Sequence, residues 1–367
     1  MGDRRMRAVV LALFALLLIS AKAAASEVLE LVDAYHREVR LEGKPLRVIL
    51  GDSLDLLYLS IVHEDPVTSI VGWGGRRRLD SGFVDAIRRD HPGIDTISDL
   101  GDPNGGGFQV EKALALDPDV AIFSGGFSPD DIAVRQLEAA GVPVVFITGP
   151  EEASPGSGDI QPAISILGAL FERRAAAGVF LAFYDERLRR IETLVSAASH
   201  RPKVLVEAHA NSADCCWTPG GNADYIERAG GDNVARSLVP GATGQVSLDF
   251  LLQINPDVIV ATGSGTSANA GGLAIGPGVD LHTSQASLSA LSTRRGFDSI
   301  ANNGRRYHGI WHQLLATPYH LVALEAMAVW FHPDFRSAID PERTLAEIND
   351  RFAALPLPGT VLVSLPQ

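Results

Sequence analysis

The sequence predicts an α/β protein of two similar lobes, each with a mainly parallel sheet, joined by a helical connector. Three observations carry this. Short β-branched runs alternate with amphipathic helical patterns, which is the order of parallel strands and crossover helices. A helix–Pro-Asp–strand unit occurs twice at an offset of 138 residues, as Glu111-Lys-Ala-Leu-Ala-Leu-Asp-Pro-Asp-Val-Ala-Ile122 and Asp249-Phe-Leu-Leu-Gln-Ile-Asn-Pro-Asp-Val-Ile-Val260. Between the two copies lies a long stretch with helical period and no strand signal.

Residues 1–25 stand apart. Arg4, Arg5 and Arg7 precede an apolar run from Ala8 to Ile19, and Ala23, Ala24 and Ala25 lead to Ser26. That is the form of a secretory signal peptide, with an apolar run short of the roughly 20 residues that span a bilayer. The expected boundaries are 1–25 for the signal peptide, 26–158 for the first lobe, 159–200 for the connector, 201–310 for the second lobe and 311–367 for a helical tail packed on the lobes.

In the first lobe, Arg47 to Leu50, Val67 to Val71, Val120 to Phe123 and Val144 to Ile147 read as strands, separated by helical patterns such as Ser81 to Asp90 and Pro129 to Ala140. Within each repeated unit the proline (Pro118, Pro256) ends the helix and the following aspartate (Asp119, Asp257) turns the chain into a buried strand. In the connector, Ile164, Leu167, Leu170, Phe171, Val179, Phe183, Ile191 and Leu194 recur at helical spacing, opposite a charged face. Two ordinary packed helices and one semi-rigid spine, with Gly178 as an interruption, both fit this pattern. The second lobe repeats the first, with Val204 to Glu207 and Val258 to Ala261 as strands and Ala223 to Ala229 as a short helix. In the tail, Leu321 to Val329 and Leu345 to Phe352 read as helices.

Composition excludes several functions. The chain holds 44 acidic and 31 basic residues, a formal charge of −13. The 25 leader residues carry four bases and one acid, so export takes the charge from −13 to −16. Nucleic acid is therefore not the expected partner, since a phosphate backbone needs a basic face. The only two cysteines, Cys215 and Cys216, are adjacent. They cannot staple the fold or build a thiolate zinc site, and they are either a vicinal disulfide or two thiols. The ten histidines are scattered, so no resident metal or cofactor is expected, and no catalytic motif appears.

Open α/β lobes place ligands beyond the carboxyl ends of their strands. The residues there are Trp73 with Arg76, Arg77 and Arg78, then His209 and Trp217, then Trp311 and His312. Guanidinium forks and indole faces suit a large, flat or chelated anionic ligand.

The stretch Cys215-Cys-Trp-Thr-Pro-Gly-Gly-Asn…Ala-Gly-Gly-Asp-Asn-Val234 and the segment Gly309-Ile-Trp-His-Gln-Leu-Leu315, with Trp330-Phe-His-Pro333, resemble a known family. It is that of the periplasmic substrate-binding proteins of bacterial ABC importers for iron–siderophore complexes, haem and cobalamin. The resemblance covers nearly the whole mature chain. It implies two Rossmann-like lobes joined by one long helix with the ligand cleft between them. It also implies a monomer, located in the periplasm, that is not an enzyme and delivers an iron(III)–siderophore or similar metal chelate to an ABC permease dimer in the inner membrane. One acid per lobe docks on the permease in that family, and the matching positions here are Glu111 and Asp249, the latter shorter than the usual glutamate. Haem or cobalamin capture is the alternative within the family. An exported α/β enzyme for a small anionic substrate and a signalling receptor are the alternatives outside it.

Overall fold

A computed structural model describes residues 28–102, 107–150, 160–210, 216–220, 224–241, 243–267, 271–295, 297 and 306–365. The expected signal peptide lies outside these residues. The described chain opens with an antiparallel hairpin, β1 (Val28–Val32) and β2 (Glu38–Glu42). Leu31, Val39 and Leu41 are buried, and the intervening positions face out. The hairpin turn is tied to the edge of the first sheet, with Ala34 N–H donating to the Phe146 carbonyl (2.9 Å) and Arg37 Nη2 donating to that of Val144 (2.7 Å). The period-2 alternation of Val28 to Glu42 signals this pair, although the expected first strand lay later, at Arg47.

The first lobe runs β3 (Val48–Leu50), α1 (Asp55–Val62), α2 (Pro66–Ser69), β4 (Ile70–Trp73), α3 (Ser81–Asp90), β5 (Ser98–Asp99), α4 (Val110–Leu114), β6 (Val120–Phe123), α5 (Ile132–Ala139) and β7 (Val144–Phe146). The sheet order is β5-β4-β3-β6-β7 and every pairing is parallel. β3, β6 and β7 are buried throughout, because helices cover both faces and leave no solvent side to alternate with. The strand expected at Val67 begins only at Ile70. Pro66 has its φ preset for a first helical position and lacks an N–H to give a ladder, so it starts a helical turn instead.

The connector is two helices, α6 (Gln161–Leu170) and α7 (Arg174–Ser196), broken at residues 171–173, where Glu172 takes a left-handed φ of 56°. Gly178 lies inside α7 and does not interrupt it. α6 packs on α1 and β1 and belongs to the first lobe, so α7 alone is the spine. Its 23 residues span about 35 Å.

The second lobe comprises β8 (Lys203–Glu207), β9 (Trp217–Pro219), α8 (Asp224–Arg228), β10 (Asp232–Asn233), β11 (Thr243–Gln245), α9 (Leu248–Ile254), β12 (Val258–Gly263), α10 (Leu281–Ser292) and β13 (Arg306–Trp311). The tail adds α11 (His320–Phe331), α12 (Pro341–Arg351) and β14 (Leu362–Ser364). The second sheet has order β10-β8-β12-β13-β14, parallel except for β14, so the tail is not purely helical and closes the sheet with an antiparallel edge. α11 is buried on all sides and carries the core beneath the second lobe.

The repeated units fold alike. Asp117 and Asn255, the residues before the prolines, are both left-handed at φ 48° and 57°, a conformation that Asp and Asn tolerate at a helix end. Asp119 Oδ2 then accepts Arg47 N–H (2.8 Å), and Asp257 Oδ2 accepts Lys203 N–H (2.8 Å). The basic side chains return the contact: Arg47 Nε donates to the Asp117 carbonyl (2.8 Å) and Lys203 Nζ to that of Ile254 (3.3 Å). In each lobe one aspartate aligns the neighbouring strand and one cation covers the helix C-terminus.

Candidate ligand site between the lobes

Both sheets change direction of winding once, and the two reversals define the site. In the first lobe the reversal falls between β3 and β6. Gly51 leaves β3 so close to Phe123 that a Cβ would stand 2.0 Å from the ring, which requires glycine there. Asp52 follows, with Oδ1 accepting Leu54 N–H (3.0 Å) and Oδ2 paired with Arg78 Nη1. Asp55, the first residue of α1, is buried; the Ser124 hydroxyl donates to it, and its Oδ2 has no partner among the described residues. Burial pushes both carboxyls up, Asp55 further because Asp52 lies beside it, and Arg78 only partly offsets this.

In the second lobe the reversal falls between β8 and β12. His209 follows β8 in a left-handed conformation, φ 49°, which a non-glycine residue adopts only where its surroundings hold it. Its N–H donates to Thr262 Oγ1 (2.9 Å), and the same oxygen shares a hydrogen bond with His312 Nδ1 (2.9 Å). Thr262 thereby ties the two residues together, and their imidazoles lie tilted against each other, with centroids 3.8 Å apart and planes at 35°. Burial lowers both, and His312 falls to about 3 because a proton there would also be repelled by a protonated His209 and by Arg78. At neutral pH the pair is uncharged. Arg78 and His312 are brought toward each other by their neighbours, since Asp80, two residues from Arg78, bonds Trp311, one residue from His312.

The lobes touch directly beside this point. Trp311 Nε1 donates to Asp80 Oδ2 (2.5 Å), and both residues are buried. Asp80 also accepts the Gly265 N–H. A Cβ on Gly82 would stand 2.2 Å from the Pro277 carbonyl oxygen, so the start of α3 lies backbone to backbone against the second lobe. Behind His209, Arg294 Nη2 donates to both oxygens of the buried Glu207 (2.6 and 2.7 Å) and its guanidinium stacks on Phe297 (3.7 Å), which anchors the end of β8.

Of the residues singled out from sequence, Arg78, His209, Trp311 and His312 come together here. Trp73 does not line the gap: it closes β4 with its side chain turned into the first-lobe core and is 0% exposed. Arg76, Arg77 and Arg78 form one tight turn whose side chains diverge, Arg76 over Trp73 (5.4 Å), Arg77 into solvent and Arg78 to Asp52. Trp217 lies on the β9–β11 ribbon, half exposed. Cys216 is buried and disulfide-bonded; the chain's only other cysteine, Cys215, lies outside the described residues. Glu111 and Asp249 are exposed in the first turns of α4 and α9. Sequence reasoning passed over Asp52, Asp55, Asp80 and Thr262. Gly51-Asp52-Ser53 directly follows a strand, so the rule that found His209 reaches Asp52 as well. Among the described residues no group of three or more His, Cys, Asp or Glu side chains is arranged to hold a metal ion, and no helix is long and apolar enough to cross a membrane.

Two lobes built on parallel sheets, spanned by one helix and meeting at their winding reversals, define a class of extracytoplasmic binding protein. Residues 90–280 match the family model described as periplasmic binding protein, and the chain belongs to that family, the ligand carriers of ABC transporters. No curated protein matches the chain. Solved structures share the fold. The TroA-like periplasmic binding protein FepB from Veillonella parvula is 22% identical, covering 92% of this chain and 100% of that one, with a TM-score of 0.81. MolA of Haemophilus influenzae, bound to molybdate, is 20% identical over 88% and 97% of the two chains, with a TM-score of 0.62. An ABC-type Fe3+-hydroxamate transport system protein from Saccharomonospora viridis is 20% identical over 83% and 99%, with a TM-score of 0.52.

Proposed function

We propose that the protein captures an iron(III)–siderophore or similar metal chelate between its lobes and delivers it to an ABC permease. The observation that carries this reading is that the neutral imidazole pair His209–His312 and the Arg78–Asp52 pair stand at the two winding reversals, which the Asp80–Trp311 hydrogen bond joins. Arg78 offers forked donors to the oxygens of a catecholate, hydroxamate or carboxylate ligand, while imidazoles that stay unprotonated suit the metal itself where the chelator leaves a position open. The Saccharomonospora protein is named for Fe3+-hydroxamate transport, which supports the ferric reading; MolA is named for an oxyanion, so the fold alone does not choose.

Export by the 1–25 leader, action as a monomer, and docking on the permease through Glu111 and Asp249 belong to the same proposal. One exposed acid per lobe, each opening a repeated unit, gives a two-point contact for basic permease residues. The test is a titration of the mature protein with ferric catecholate and hydroxamate chelates, followed by tryptophan quenching. Micromolar or tighter binding that drops at least tenfold in R78A and H209A/H312A is expected. No response to any ferric chelate refutes the ferric reading. A new haemin absorption band that is lost in H209A or H312A would assign the site to haem instead.

A further inference from the structure

Midway along the spine, α7, α12 and the segment from Arg336 to Asp340 wall a groove of about 780 Å3. Its chemistry is unlike that of the acidic chain around it. Five guanidiniums line it: Arg187 and Arg190 from α7, Arg336 from the segment, and Arg343 and Arg351 from α12. The opposing acids do not match them. Glu347 alone serves three, accepting from Arg187 Nη2 (2.8 Å), Arg343 Nε (3.0 Å) and Arg351 Nη1 (3.3 Å). Arg190 pairs with Glu186 (2.7 Å), Asp340 is occupied in capping α12 through the Arg343 N–H (3.0 Å), and Arg336 makes no ion pair among the described residues.

At the back of the groove lies the fourth acid, Glu325 of α11. It is 2% exposed, lines the groove, and its Oε2 has no partner among the described residues. Thr344 bonds its carboxyl and also accepts from Arg187 Nε (3.2 Å), which ties the carboxyl to the guanidinium cluster. Burial raises Glu325 to about 7, so near neutrality much of it carries a proton and can donate. Phe183 floors the groove beneath Arg187, 3.8 Å from its guanidinium carbon. Five guanidiniums stand against four carboxylates, of which Glu347 is shared by three arginines and the buried Glu325 is left unpartnered, so donors remain free to take oxygen anions. Its volume falls within the range of small-molecule sites and exceeds what one inorganic ion fills.

We propose that this groove is a second ligand site, which takes a small organic polyanion bearing carboxylate or phosphate groups. Arg336 and Arg343 contact its charged groups at the rim, and Glu325 closes the inner end as a proton donor.

The test is calorimetric titration of the mature protein at fixed ionic strength with citrate as the carboxylate probe and pyrophosphate as the phosphate probe. Saturable binding of at least one, weakened about tenfold by R336A and further by R336A/R343A, is expected, as the loss of charge-assisted contacts predicts. Arg336 is exposed and unpaired, so R336A folds normally and a loss there is not a folding defect. The charged groups that share the groove with Glu325 are Glu186, Arg187 and Arg190 from α7, Arg336 and Asp340 from the segment, and Arg343, Glu347 and Arg351 from α12, of which Arg187, Arg190 and Asp340 act on it electrostatically. Glu325 is the one among them raised to near neutrality, so wild-type affinity should fall as pH rises above 7, and E325Q should abolish that fall while still binding. No binding of either probe at about 1 mM, or binding unchanged in R336A/R343A, overturns the proposal. Ferric-chelate binding between the lobes should be unaltered in all these variants, so the two sites are judged separately.

Discussion

The hydrogen bond from Trp311 Nε1 to Asp80 Oδ2 couples the lobes, and its strength can be measured. Asp80 immediately precedes α3, where an aspartate ordinarily caps its own helix, yet its side chain makes no capping bond. It reaches instead across the gap to Trp311 and Gly265. At 2.5 Å, between residues 0% and 8% exposed, the bond is a desolvated, charge-assisted one. Such bonds contribute about 1.5–3 kcal/mol. D80A strands the indole N–H and W311F removes the donor while shrinking a buried ring, so each single variant should lose about 2–4 kcal/mol. The double variant should lose less than the sum, leaving a coupling of about 1.5–3 kcal/mol. D80N, which keeps an acceptor oxygen without the charge, should be the mildest of the four. Urea unfolding followed by far-UV circular dichroism, with midpoint and slope fitted separately, measures each corner of the cycle. A coupling below about 0.5 kcal/mol would show that the two side chains act independently and that the lobes are held by backbone contact alone.

Two further outcomes follow from the packing. His320 is buried, shares a 2.6 Å hydrogen bond with Tyr184 Oη and is lowered to about 3, so the folded form keeps it neutral while the unfolded chain protonates near 6.5. The stability it supplies is present above pH 6.5 and is lost as pH falls toward 3. Relative to H320Q, the wild type should lose about 2 kcal/mol between pH 7 and pH 5, and a gap in unfolding free energy that stays constant with pH would contradict this. G82A places a methyl 2.2 Å from the Pro277 oxygen, where both sides are backbone and neither can rotate away. It should cost about 1–3 kcal/mol in urea unfolding and weaken chelate binding, whereas G93A, with open space around it, should do neither.

Much of the scaffold was legible in the amino-acid order because local chemistry decided it. α3 begins and ends at the residues its amphipathic pattern marks, and β6 is the apolar run Val120 to Phe123. The repeated Pro-Asp units declared the duplication before any coordinate, since a proline after a left-handed Asp or Asn ends a helix wherever it occurs. Within the site, Arg78, His209, Trp311 and His312 were reachable because strand ends in open α/β sheets converge. Trp73 obeyed the same rule and still turned inward, since a four-residue strand leaves the direction of its last side chain to the packing of the faces it joins.

What the order of residues determined by itself is an acidic chain of two similar α/β lobes, written in periodicity and paired motifs that each act over a dozen residues or fewer. What only the tertiary structure decided is the site's chemistry. Asp52 meets Arg78 across 26 positions, His209 meets His312 across 103 and Trp311 meets Asp80 across 231, so each pairing depends on how sheets and lobes stack and not on any neighbour in the chain. Contacts of that separation form only when burial has brought distant segments together, and the direction in which each side chain then points is a property of the packed core that local pattern does not encode.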